Sequence, residues 1–206
     1  MKVSVSSYSF SQQIWAGKMT QLDCVAKAKE MGFDAIEFTD IVGETLDQQK
    51  EYAKKIREEA DRVGIEINAY TIGANLFQPT PEAQAAEVER LKGQVDVAAI
   101  LGAKVMRHDV CYSLGKTGNS RSFGLMLPTI ADGARQVTAY AETLGIKTCT
   151  ENHGYIAQDS YRVSSCSTPL PTITTVCWWT SATSSARTRI RPWLFPEWHP
   201  TPSMSI

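Results

Sequence analysis

The chain has 206 residues, 43% of them hydrophobic and 21% charged, with a formal net charge of −1 at pH 7. Such totals describe an ordinary soluble globular protein of one domain, or one domain with an appendage. They give no reason to expect nucleic acid or an anionic membrane as a partner, and no apolar run reaches the roughly 18 residues that span a bilayer.

The N-terminal MKVSVSSYSF runs directly into an alternating strand pattern, without the apolar core of about 7–15 residues that a secretory leader needs. The five cysteines, Cys24, Cys111, Cys149, Cys166 and Cys177, form no CxxC pair and are odd in number. A reduced, cytoplasmic set of thiols is therefore expected, rather than a disulfide framework or a zinc site.

In chain order, strands are expected at 2–8, 34–39, 65–71, 104–109 and 146–151, and helices at 19–31, 45–63, 82–101 and 126–144. Over 45–63, Leu46, Tyr52, Ala53, Ile56, Ala60 and Val63 fall near one helical face, with the charges opposite. Four helices end in an apolar residue followed by glycine (Gly32, Gly64, Gly102, Gly145), and each leads into a short apolar strand. Glycine suits the left-handed position that closes a helix, where a Cβ would clash. Alternating β and α elements with buried strands imply a parallel α/β sheet with right-handed crossovers. Regular repetition without a Gly-rich dinucleotide fingerprint favours a (β/α)8 TIM-barrel type over a doubly wound sheet. Five βα units precede a break in the pattern, so the barrel is expected to be truncated.

The break falls after Arg162. Residues 163–206 hold six of the nine prolines, four of the five tryptophans and one of the 22 acids, Glu197. Two regions are expected: a partial barrel over 1–162, and a disordered Ser/Thr/Pro/Trp-rich tail over 163–206. A tail of this kind could also dock a partner through its tryptophans.

In a βα barrel the site lies at the C-terminal ends of the strands. The residues placed there are Tyr8 and Ser9, Glu37, Asn68 and Tyr70, Arg107 and His108, and Glu151-Asn152-His153. Glu151 is the strongest candidate, because a strand-end carboxylate suits a general base or an oxygen-ligated divalent metal. A polar strand end that caps the next helix would look the same. Glu37 could bind a substrate hydroxyl or pair with a neighbouring cation. His108 fits a satisfied polar residue near the rim as well as a substrate contact, and Tyr8 fits a pocket wall or core. Gly115-Lys116-Thr117 is not a phosphate loop, since position 110 is valine where that loop needs glycine. The segment from Cys111 to Gly124 is instead expected to be a flexible loop over the barrel mouth.

Taken together, VSSYSF, MGFDAIEF, the helix–Gly–strand rhythm and TENHG resemble the xylose-isomerase-like TIM barrel superfamily, and within it the sugar phosphate isomerase/epimerase family. The resemblance covers residues 1–162. It implies a small sugar or sugar phosphate as substrate, and one Mn²⁺ or Mg²⁺ held by Glu on strand five, Asp on six, His on seven and Glu on eight. Of these ligands Glu151 carries over, and His153 lies where such enzymes contact substrate. The implied chemistry is metal-assisted proton transfer through an enediolate. The chain as written is expected to be inactive, because one carboxylate cannot hold a cation that takes about six oxygen ligands. An endonuclease IV-like hydrolase is the alternative within the same barrel, but AYTIGANLF offers no histidine and the charge gives no basic footprint for DNA. A non-catalytic fragment or binding scaffold is the alternative from another class.

The tail has a further property. Tryptophan has one codon, TGG, so Cys177-Trp178-Trp179-Thr180 is encoded by TGY-TGG-TGG-ACN. Read in the frame that joins each codon's last base to the next two, these bases give Leu-Val-Asp without freedom. A frameshift near codon 163 is therefore expected, with barrel sequence continuing in the other frame.

Overall fold

The computed structural model describes residues 2–115, 118–151, Ile156 and Arg162, together with the backbone of 176–178. The strands are β1 (Ser4–Ser6), β2 (Ala35–Thr39), β3 (Glu66–Ile72), β4 (Val105–His108), β5 (Lys147–Glu151) and β6 (Val176–Trp178). The helices are α1 (Ser11–Trp15), α2 (Gln21–Glu30), α3 (Leu46–Val63), α4 (Pro81–Leu101) and α5 (Phe123–Thr143). The strands form one sheet in the order β1-β2-β3-β4-β5-β6, every neighbouring pair parallel. A doubly wound sheet reverses its order at a switch point; this one never does, as in the wall of a βα barrel. Consecutive helices pack on one another, α2 on α3, α3 on α4 and α4 on α5, and so form one outer layer.

Local chemistry sets the helix ends. Thr20 with Asp23, and Thr45 with Gln48, form reciprocal capping boxes, and Thr80 caps α4 with Pro81 at its first position. The four glycines of the repeat all take positive φ, at 87° for Gly32, 68° for Gly64, 74° for Gly102 and 69° for Gly145. The predicted face of α3 is buried through Ala53, Ile56 and Ala60, each 0% exposed.

Three local features differ from the sequence expectation. The first strand stops at Ser6, and Ser7–Phe10 turns into a 3-10 helix because the Ser6 side chain accepts from the Tyr8 N–H. Helix α5 starts at Phe123 rather than 126 and carries Pro128 inside it. Proline disfavours that position, but burial of Phe123 and Met126 anchors the first turn upstream of it. Within the tail, Val176–Trp178 forms a short strand beside β5; the rest of 163–206 lies outside the described residues.

The apolar core lies between the sheet and the helices. Phe38, Tyr70, Met106 and Thr148 are partners across β2 to β5, and all are buried. Thr148 bonds the hydroxyl of Thr138 on α5 at 2.6 Å, which identifies this row as the one facing the helices. Among the described residues Cys24, Cys111 and Cys149 are buried thiols, and no helix is long and apolar enough to cross a membrane.

Candidate functional site

Side chains alternate between the two faces of a strand, so the neighbours of the helix-facing row point the other way. That opposite, inward row holds Ser6 on β1, Glu37 on β2, Thr71 on β3, Arg107 on β4, and Cys149 and Glu151 on β5. Thr71, Arg107 and Cys149 are register partners, and Glu151 lies one inward step further along β5. One irregularity shapes the row. A bulge between Ile36 and Glu37 shifts the pairing so that Glu37 meets Ala69 rather than Asn68. Asn68 instead accepts from the Ser4 hydroxyl at 3.0 Å.

Arg107 is the centre of the site. It is 8% exposed, its Nη2 lies 3.3 Å from Asp109 Oδ1, and the same nitrogen pairs with Glu151 Oε2. Its Nε is buried without a hydrogen-bond partner among the described residues. Glu37 accepts from the Ser6 hydroxyl at 3.4 Å and also from Thr71. Burial pushes the Glu37 carboxyl above its ordinary range; Thr71 and Arg107 oppose that rise, and Glu151 adds to it. Three carboxylates thus surround one guanidinium at the C-terminal end of the sheet.

A second charged group braces the rim. Asp40 takes a positive φ of 32°, its N–H bonds Thr71 O at 3.0 Å, and it accepts from the Gly73 N–H. Burial raises its carboxyl. Arg90 on α4 donates to Gly73 O at 2.9 Å and pairs with Glu87, which in turn accepts the Asn75 N–H at 2.9 Å. Burial alone would raise Glu87, but Arg90 and the Asn75 N–H hold it below the usual carboxylate range. These contacts fasten the loop after β3 to α4, next to the inward row.

The residues singled out from sequence fall in different places. Glu37 and Glu151 come together around Arg107. His108 stands on the helix-facing row, two positions on from Met106; its ring Nδ1 lies 2.8 Å from Asp109 O, and burial depresses its pKa. Tyr8 is 63% exposed and meets Trp15 edge-on at 6.4 Å. Tyr70 also faces the helices, donating to Gln94 Oε1 at 2.7 Å. Asn152, His153, Lys116 and Thr117 lie outside the described residues. In the segment after β4, Gly118–Arg121 forms a 3-10 turn, tied back by the Gly115 N–H to Ser120 O at 2.9 Å. Sequence reading gave no role to Arg107 and did not name Thr71 or Asp109. The signal was available, since Asp109 is two residues beyond Arg107 and so shares its face.

A divalent ion at Glu151 can be tested against this arrangement. Glu151 is engaged by Arg107, and among the described residues no three His, Cys, Asp or Glu side chains converge to hold a metal. The described residues do not fit such an ion.

Three solved structures show the breadth of the likeness. A candidate sugar phosphate isomerase/epimerase from Anabaena variabilis matches at TM-score 0.68 and 17% identity, covering 85% of this chain and 63% of that one. A D-psicose 3-epimerase solved in the presence of D-fructose matches at TM-score 0.67 and 18% identity, covering 87% and 63%. A D-psicose 3-epimerase from Clostridium cellulolyticum, solved with D-tagatose, matches at TM-score 0.61 and 17% identity, covering 81% and 60%. At these identities the likeness establishes the fold. The chain spans less than two thirds of the length of each of these three proteins. No curated protein matches the sequence. Residues 25–167 match the xylose isomerase-like TIM barrel family, well over half of the chain, and with the unreversed parallel sheet they make this protein a member of that family.

Proposed function

We propose that residues 1–162 are the first five βα units of a sugar phosphate isomerase/epimerase-type enzyme acting on a small sugar or sugar phosphate. The observation that carries this reading is the meeting of Glu37 and Glu151 on the inward face, at the strand ends of a xylose isomerase-like barrel. Glu151 is the acid–base residue. Its carboxylate takes a proton from the carbon beside the substrate carbonyl, the C–H electron pair moves into an enediolate, and a proton returns to complete the isomerisation or epimerisation. Glu37 binds a substrate hydroxyl, as do His153 and, at the rim, Tyr8. His108 acts from behind the sheet by holding the Asp109 carbonyl. A divalent metal in the intact enzyme would require ligands beyond those described. The 206-residue chain is inactive by itself.

The reading includes a frameshift near codon 163. The strand Val176–Trp178 sits beside β5 with Trp178 in register with Glu151. In the shifted frame the same bases give Leu-Val-Asp, so an aspartate would follow at the end of that strand, next to Glu151. This supports a second acidic strand end in the other frame.

The test is to reread the gene from codon 150 to well beyond codon 206. One added or removed base that restores Leu-Val-Asp and further strands supports the reading. The repaired protein should then exchange the substrate proton with deuterium from solvent in the presence of ketohexoses or their phosphates. Its Glu151→Gln variant should lose at least about a hundredfold of that exchange. A clean single frame without barrel sequence in the other frame removes the catalytic reading for this chain. Full exchange in the Glu151→Gln variant removes the role of Glu151.

A further inference from the structure

One nitrogen of Arg107 serves two carboxylates from different strand ends. Nη2 is 3.3 Å from Asp109 Oδ1 and is paired with Glu151 Oε2, and the side chains of the three residues are 9%, 9% and 12% exposed. Two carboxylate oxygens facing one point from separate strand ends are what a small divalent cation asks of a protein, with water filling its other positions. Here a guanidinium holds that point. Arg107 projects from β4 between the register partners Thr71 and Cys149, and its side chain is almost wholly buried. A cation entering between Glu151 and Asp109 would have to displace a buried like charge and leave that charge unpaired, which is costly in a partly dry site.

We infer that Arg107 is a built-in counter-cation that occupies the place of a divalent ion between Glu151 and Asp109 and keeps such an ion off Glu151 in this chain. Arg107 does this whatever substrate the barrel accepts. The positive charge of Arg107 on the inward face is thereby shared between Asp109 and Glu151, whose carboxylates meet at the guanidinium.

The experiment is a Mn²⁺ titration of the full 206-residue chain, with free Mn²⁺ followed by electron paramagnetic resonance. The unsubstituted chain and its Glu151→Gln variant should bind Mn²⁺ indistinguishably. Arg107→Gln should bind at least about tenfold more tightly. Adding Glu151→Gln to Arg107→Gln should abolish that gain. Weaker Mn²⁺ binding on Glu151→Gln in the otherwise unchanged chain would overturn the inference, because it would place the ion on Glu151 with Arg107 present. An unchanged affinity in a folded Arg107→Gln protein would overturn it equally. If circular dichroism shows that Arg107→Gln does not fold, the comparison of the unchanged chain with Glu151→Gln still decides. None of these outcomes depends on turnover, so a failed isomerase assay and a failed counter-cation test are separate results.

Discussion

The two faces of the same five strands behave as different materials. Toward the helices, Phe38, Tyr70, Met106 and Thr148 form a buried row whose two hydroxyls are satisfied, Tyr70 by Gln94 and Thr148 by Thr138. Toward the inside, on the alternate positions of each strand, Glu37, Thr71, Arg107 and Glu151 form a row of charge and hydroxyl. A step of one residue along the backbone separates dispersion and water exclusion from electrostatics in a half-dry site. Apolar packing is concentrated on one face and charge on the other, so substitutions on the two faces probe different forces.

The largest effect is expected on the apolar face. Phe38 is 0% exposed, and Phe38→Ala should cost about 4 kcal/mol through lost transfer energy and a cavity, as read by urea denaturation. A loss below about 1 kcal/mol would mean that the helical layer is loosely packed and that the contrast between the faces is false. On the inward face, Arg107→Ala should cost about 3 kcal/mol, because it leaves Glu151 and Asp109 facing each other without their shared cation. If instead the variant matched or exceeded the parent in denaturant, the ion pair would be adding no stability, and the inward face would be purely a functional surface.

Two smaller effects sharpen the contrast. Gly64 closes α3 at φ 68° with nothing near its missing Cβ, so Gly64→Ala should cost about 1 kcal/mol from backbone strain alone. Its neutrality would show that the helix end can relax. His108 provides a pH-dependent probe of the helix-facing row. Burial depresses its folded pKa below the ordinary 6.5, so the unfolded chain binds the proton more readily. The contribution of neutral His108 is therefore complete above pH 6.5 and is lost as pH falls through its depressed folded value. Between pH 7 and 5, His108→Leu should lose less stability than the parent. Equal losses would mean that His108 does not carry this acid sensitivity.

Much of this fold was legible in one dimension. The four glycines that end helices and the buried stripe of α3 depend on interactions within a few residues, and both were legible; the Thr caps at 20, 45 and 80 are just as local but emerged only with the structure. The site was legible in part. Glu37 and Glu151 stood out because a charged residue at the end of an apolar strand is locally costly. Their meeting point, Arg107, did not stand out, because its partners lie on two other strands and depend on register. The bulge at Glu37 illustrates the difficulty. One extra residue decides whether Asn68 or Ala69 lies opposite Glu37, and nothing local to either strand announces it. His108 and Tyr70 read as strand-end residues, yet they face the helices, as the pairing of Tyr70 with Phe38 and Met106 and the place of His108 two residues beyond Met106 reveal.

By itself, then, the sequence determined the order and kind of the elements, where helices stop, the class of sheet and the change of character after Arg162. These follow from hydrophobic period, capping chemistry and composition, which act over short distances along the chain. Tertiary structure alone decided which strand-end side chains share a face and which cation serves which carboxylate. Strand register fixes both, and register is a property of two strands at once: a slip of one residue sends every side chain to the opposite face.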